Sequence, residues 1–520
     1  MNDIYNQRVQ ALFANNETDL FSGARRGVEK ENLRITPLGK LAQTPHPRAL
    51  GAALTNKFIT TDYSEALLEF VTPPVESIWG VTQYLCDIHQ YVYSHLDNEL
   101  LWPYSMPCSL ASEADIPLAL YGSSNVGQMK TIYRRGLGHR YGRYMQVISG
   151  MHFNYSLPPG FWNVYRDSEM TELDAVSFQS DSYLDMVRNV RRLDWMLLYL
   201  FGASPALCNS FLAGRNADLD ALDEHTSYLP YATSLRMSDL GYQNSSQASL
   251  RVSANSLDDY ISDLSRAITT PHADYQKIGI KNGDKYLQLN ANFLQIENEY
   301  YSTIRPKRVA RSGEHPSAAL RRAGVEYVEL RALDVSPFDP VGINQTEMHF
   351  LEIFLLYCLL EPSPAIESTE DESIKFNHGL VAKAGRKPGL ELARRGKKIV
   401  LQQWLTELLD QMMPLAELLD RSGEGGYREA LVVQQQKARD AALTPSALLL
   451  ADLSDSGLPF AKYALQVAET YRDYFGSLAT EHNSHFAQFS EEATESIERQ
   501  RAIESADNIS LEQYMKKYFS

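Results

Sequence analysis

The segment Gly27-Val-Glu-Lys-Glu-Asn-Leu-Arg-Ile35 most constrains what this chain can fold into. Alternate residues of a strand share a face, so Glu29, Glu31, Leu33 and Ile35 form one row. Two carboxylates about 6–7 Å apart thus continue a row that otherwise reads as core. Placed inward, they repel each other and are costly to desolvate. A divalent cation between them removes both objections. A solvated strand end with opposing salt bridges is the alternative for this segment taken alone.

Two further segments repeat the pattern. In 60–73, Ala66, Leu68 and Phe70 form an apolar face. Glu65, Leu67, Glu69 and Val71 form the other, with Asp62 just before the strand. In 326–334, Val328, Leu330 and Ala332 alternate with Tyr327, Glu329 and Arg331. Each alone would suit an ordinary half-solvated strand. Together they point to oxygen ligands for Mg²⁺ or Mn²⁺, with Arg331 able to meet a phosphoryl group. In 146–156, Met151, Phe153 and Tyr155 share one face, while Gln146, His152, Asn154 and Ser156 share the other. His152 reads either as a metal or phosphate contact or as a hydrogen-bonded sheet histidine. Glu297 and Glu299 add carboxylates further on, and Arg236 sits among aromatics and hydroxyls, a setting that suits a bound carboxylate.

These strands, predicted at Gly27–Ile35, Glu65–Val71, Gln146–Leu157, Tyr286–Glu297 and Glu326–Leu333, lack the strand–helix rhythm of a doubly wound sheet. The expected class is α+β, with a mostly antiparallel sheet wrapped by helices. Residues 1–160 mix helices and short strands, 160–345 carry a helical stretch and further strands, and the remainder reads as nearly all helical. Helices are predicted at Lys397–Met413, Gly426–Ala441 and Ala461–Leu478, and a loop at Pro362–Lys387.

A net charge of −16 argues against nucleic acid as a partner. The apolar runs Met196–Phe201 and Phe350–Leu360 are too short to span a bilayer, and the amino terminus shows no secretory pattern. Cys86, Cys108, Cys208 and Cys358 are scattered without metal spacing and read as reduced thiols. A cytoplasmic protein without a membrane partner is expected. Neither a G-x-x-x-x-G-K-[ST] loop nor a G-x-G-x-x-G turn is present, so any nucleotide phosphates must be gripped another way, for which acidic side chains holding Mg²⁺ are the obvious alternative.

The tracts GVEKENLRI, ALTNKFITTDYSEALLEFVTP, LWPYSMPC, YGSSNVGQMKTIYRRGL, ISGMHFNYSLP, YLPYATSLRMSDLGY, LQIENEYYSTIRPKR and EYVELRALD occur in order over most of residues 20–345. In them the chain resembles the gammaproteobacterial glutamate–cysteine ligases. The resemblance implies a curved antiparallel catalytic sheet similar to that of glutamine synthetase. It implies one unit over residues 1–520, with catalytic sheet and helices over about 1–365 and a helical layer over about 366–520. It implies Mg²⁺ held by Glu29, Glu31, Asp62, Glu69, His152 and Glu329. Glu29, Glu329 and Arg331 would then serve ATP, while Arg236 and Arg331 engage glutamate and the transferred phosphate. Tyr63, Tyr133, Leu137, Gln146, Tyr242 and Tyr301 would line a cysteine pocket, while Arg134, Lys307 and Arg308 read as solvated surface charge, with anion contact as the lesser alternative. The implied activity joins L-glutamate to L-cysteine using ATP, in a monomer open to feedback inhibition by glutathione. The alternative is a ligase of the same fold with another amine acceptor.

Overall fold

The computed structural model describes residues 3–14, 20–107, 109–214, 217–241, 250–311, 313–422 and 425–519. Its centre is a seven-stranded sheet. The strands are β1 (Arg25–Ile35), β2 (Ile59–Thr61), β3 (Leu67–Val71), β4 (Leu100–Leu101), β5 (Met151–Ser156), β6 (Ile304–Lys307) and β7 (Tyr327–Leu333). Their order is β6-β7-β5-β1-β3-β2, with β4 pairing the end of β1. Every ladder is antiparallel.

The period-two pattern sorts the two faces. Val28, Met151, Phe153, Tyr155, Val328 and Leu330 are buried in one core with the helices Ala175–Phe201 and Gln345–Leu360. Helix Gln345–Leu360 is buried on all sides because helices surround it: Ala175–Phe201 and Ile78–Tyr93, then Leu401–Ser422 and Tyr427–Arg439. Its one central charge, Glu352, is paired: Arg26 of β1 donates Nη2 to Oε2 at 2.6 Å, and the Tyr427 hydroxyl donates to the same oxygen at 3.0 Å. A buried carboxylate needs such partners. The helices Phe460–Ser477 and Phe486–Ala506 pack on the helix Ile78–Tyr93. No helix among the described residues is long and apolar enough to cross a membrane.

Three predicted elements differ. Pro362–Lys387 is not a loop, since Ser368–Ala384 is a helix. Its acidic residues Glu370 and Asp371 occupy the first turn, where the helix dipole favours them, and Val381 and Ala382 are buried. In Tyr286–Glu297 only Lys285–Tyr286 is a strand, paired with Lys281–Asn282. The rest is a loop in which buried amides replace ladder bonds. Gln288 Nε2 donates to the carbonyls of Tyr275 and Gly279, and Gln295 Oε1 accepts from the Leu289 amide. Residues Lys397–Val400, predicted as helix, form a hairpin with Glu391–Arg394. Its two-residue turn, Arg395–Gly396, has φ of 50° and 75°, which matches a right-twisted hairpin. The helix begins at Leu401. Two strands are also shorter at their starts than expected. Glu65 and Ala66 precede β3, and Met145–Val147 is a 3₁₀ turn before β5.

Candidate functional site

The sheet face opposite the helices carries the charges. Because paired residues of neighbouring strands point the same way, the ladder builds rows across it. One row runs Arg305, Glu329, Asn154 and Gly27, the next joins His152, Glu29 and Val71, and a third joins Glu31, Glu69 and Thr60. Arg331 lies two residues along β7 from Glu329, on the same face.

The side chains close on one another at the centre. His152 Nδ1 is 3.1 Å from Glu29 Oε2 and 3.6 Å from Glu329 Oε1. Arg331 Nη1 donates to Glu329 Oε1 at 2.6 Å and lies 3.3 Å from His152 Nδ1. Asn154 Nδ2 donates to Glu29 Oε1 at 3.0 Å. Lys307 Nζ approaches Glu329 Oε2 to 3.1 Å, and Arg305 Nη1 lies 4.0 Å from the same oxygen. Glu31 Oε2 accepts the Gly150 amide at 2.6 Å. Solvent still reaches this face: the side chains of Glu29 and Asp62 keep 24% and 42% of their exposure.

The electrostatics divide the carboxylates into two groups. Burial raises the pKa of Glu329, but Lys307, Arg331 and Arg305 outweigh it and hold the group well below the ordinary range. Burial likewise raises Glu29, and its hydrogen bond to His152 brings it back below normal. Glu31 and Glu69 go the other way. Burial, then the nearby Asp62 carboxylate, pushes Glu31 up to about 8. Glu69 is raised well above its usual value by burial and by Asp62, Glu29 and Glu31. His152 is lowered by burial and by Arg331, which favours neutral imidazole.

Glu29, His152 and Glu329 each offer a ligand atom within 4.8 Å of the others. His152 Nε2 is buried without a hydrogen-bond partner, and carboxylates crowd one another beside it. Hard oxygen donors plus one imidazole, under mutual repulsion, fit a divalent cation of the Mg²⁺ or Mn²⁺ type. Asp62 is adjacent, held through its carbonyl by Arg134 Nε and through Oδ1, 3.7 Å from Arg134 Nη2.

The remaining expected residues divide as follows. Tyr63 and Leu137 are buried in one apolar cluster, with Tyr133 and Tyr301 packed against it. Gln146 Nε2 donates to the Tyr301 hydroxyl at 3.1 Å. Tyr242 lies outside the described residues. Arg236, on the 3₁₀ turn Leu235–Met237, is fully buried and donates Nη2 to the Arg331 carbonyl at 3.1 Å. Arg308 instead ties down a neighbouring loop, donating Nε to the Gly324 carbonyl. Glu297 and Glu299 are engaged elsewhere: Glu297 accepts from Ser317, and Glu299 pairs with Arg140 at 2.9 Å. Arg305 was not singled out from the sequence, and Asn154 was placed on the polar face of its strand without a role. The register signal for Arg305 was its place in a strand pairing with Glu329, which becomes visible only once β6 is laid beside β7.

An antiparallel sheet whose open face carries a carboxylate–imidazole cluster fit for a divalent cation, with arginines beside it, has the donor set suited to polyanionic substrates. Residues 9–381 match the family model described as glutamate-cysteine ligase, and the chain belongs to that family. It is 50% identical over 521 residues to the glutamate–cysteine ligase of Alcanivorax borkumensis, covering 99% of each chain. It superposes on the crystal structure of Francisella tularensis glutamate–cysteine ligase in complex with AMP with TM-score 0.89 and 36% identity, covering 95% of this chain and 97% of that one. A bifunctional glutathione synthetase from Pasteurella multocida shares the fold, with TM-score 0.69 and 24% identity over 95% of this chain and 57% of that one.

Proposed function

We propose that this chain joins the side-chain carboxylate of L-glutamate to the amine of L-cysteine, consuming ATP and releasing γ-L-glutamyl-L-cysteine, ADP and phosphate. The observation that carries the reading is the Glu29–His152–Glu329 cluster with Arg331 at its edge, on the open sheet face of a chain in this family.

A carboxylate is a poor acyl donor, so the γ-carboxylate oxygen of glutamate first attacks the γ-phosphorus of ATP. The bond from that phosphorus to the bridging oxygen breaks and ADP leaves. The cysteine amine then attacks the acyl carbon of γ-glutamyl phosphate, phosphate departs with the bonding electron pair, and the nitrogen gives up a proton to solvent. Such transfers depend on positioning and charge neutralisation. Mg²⁺, with Mn²⁺ as the alternative, would neutralise the triphosphate while held by Glu29, Glu31, Asp62, Glu69, His152 and Glu329. Arg331 faces the transferred phosphoryl group, and Arg236 engages glutamate and that same group. Lys307 and Arg305 keep Glu329 ionised. Tyr63, Tyr133, Leu137, Gln146, Tyr242 and Tyr301 line the cysteine subsite. The thiols among the described residues take no part: Cys208 and Cys358 are buried, and burial pushes the Cys86 thiol up to about 11. Glutathione contains both product residues, so it fits the same subsites as an inhibitor. ATP and reduced cysteine are both supplied in the cytoplasm.

The test is incubation with glutamate, cysteine, ATP and Mg²⁺, with mass detection of γ-glutamylcysteine and ADP, beside parallel reactions with other amines. Product with cysteine supports the reading. Folded protein that makes none, or that prefers another amine, contradicts it.

A further inference from the structure

We propose that Asp334 is a positioning residue for the ligation, fixing the Arg236 guanidinium against the reacting face of the sheet. The inference rests on the role given to Arg236 above and extends it.

Arg236 is 0% exposed, and a buried cation needs a counter-charge. Asp334, immediately after β7, places Oδ1 3.6 Å from Arg236 Nη1. That carboxylate is itself anchored on its far side. Its Oδ2 accepts the Ala203 amide at 2.8 Å and the Ser204 hydroxyl at 2.6 Å, and its Oδ1 accepts the Ser234 hydroxyl at 2.9 Å. Asp334 therefore has a fixed place independent of the arginine.

The other side of the guanidinium is equally restricted. Nη2 donates to the carbonyl of Arg331, and a Cβ on Gly150 would stand 2.1 Å from Nη2. Only a hydrogen fits there. The Gly150 amide in turn donates to Glu31 Oε2. One guanidinium thus bears on the backbone of Arg331 and, through Gly150, on Glu31, with Asp334 setting where it lies. An aspartate held by three donors and facing a buried arginine has the geometry of a support shell, and such shells hold reacting groups within a fraction of an ångström.

The experiment compares Arg236→Lys, Asp334→Asn and the pair Ser204→Ala with Ser234→Ala. Steady-state constants are measured for each substrate, beside thermal melting and the folded fraction. A displacement of ~1 Å costs about 100-fold in rate. Asp334→Asn is therefore expected to lower kcat/KM for glutamate by about that factor, with KM for ATP and the melting temperature nearly held. The serine pair should fall between it and the wild type. If Arg236→Lys behaves as wild type, the role of Arg236 fails and the inference with it. If Arg236→Lys is impaired but Asp334→Asn is normal, the inference alone is overturned. It is also overturned if Asp334→Asn loses folded fraction while the folded enzyme keeps normal constants. Should Asp334→Asn not fold, the serine pair decides: a glutamate-specific loss supports the positioning role, and unchanged constants overturn it.

Discussion

Glu29 and His152 stand opposite each other in the ladder between β1 and β5, with His152 Nδ1 3.1 Å from Glu29 Oε2. That pairing brings together residues 123 positions apart in the chain. It also leaves His152 Nε2 buried with no partner, and the carboxylate partly open to solvent.

Glu29→Gln keeps the size of the side chain and its ability to bond Asn154 while removing one anionic ligand. Turnover should fall by at least 10- to 100-fold, and the Mg²⁺ concentration for half-maximal rate should rise. The melting temperature of the metal-free protein should fall only slightly, because the fold holds Glu29 below its ordinary pKa and so favours the charge that the substitution removes. Initial rates across a Mg²⁺ series, beside a melt, check this; an unchanged Mg²⁺ curve contradicts it.

Glu31 sets a pH dependence of stability. Its folded pKa is raised from 4.5 to about 8. Between those values the folded protein binds the proton more readily than the unfolded chain, so its contribution favours folding at low pH and is lost as pH rises towards about 8. Metal-free protein should therefore lose stability over that window, and Glu31→Gln should flatten the loss. Chemical denaturation at several pH values with a chelator present reads the slope; identical slopes in the two proteins would contradict the assignment.

Gly138 sits where a Cβ would meet the Tyr63 hydroxyl at 2.3 Å. Alanine in a helix interior normally gains about 1 kcal/mol over glycine. Here the buried ring would have to move, and the steric conflict outweighs the gain. Gly138→Ala should raise KM for cysteine several-fold, with KM for ATP unchanged; steady-state kinetics with each substrate varied in turn decides it.

Arg305 bridges the β6 edge to Glu329 and donates Nη2 to the carbonyls of Asn298 and Tyr300. Arg305→Met removes those bonds and one of the cations that hold Glu329 ionised. A stability loss of about 2 kcal/mol or more should appear in urea denaturation, together with reduced turnover. A wild-type denaturation midpoint would contradict it.

The carboxylate rows were legible because strand alternation is a local property. β1 and β7 occupy the stretches where charged and apolar residues alternate, and Leu330 and Phe153 fall on the core face as their spacing requires. What was not legible depended on partners distant in the chain. Residues 287–296 alternate like a strand, yet Gln288 and Gln295 spend their amides on loop carbonyls and amides. The helix Ser368–Ala384 has a polar composition that reads as loop, but burial of Asn377, His378, Val381 and Ala382 as it packs on the helix Ala175–Phe201 stabilises it. Lys397–Val400 looked helical because its hairpin depends on the positive φ of Arg395 and Gly396. Arg305 escaped notice for a related reason: nothing local marks an arginine as the cross-strand neighbour of a glutamate.

Under the proposed function, side chains from β1, β3, β5 and β7 hold divalent cations around a nucleotide. Its most direct test is Mn²⁺ binding followed by electron paramagnetic resonance in the presence of ATP, with wild type beside Glu29→Gln and His152→Asn. Mn²⁺ is expected to bind the wild type tightly, to be competed by Mg²⁺, and to bind more weakly to both variants while their folds are kept. Binding of equal strength in all three proteins would contradict it.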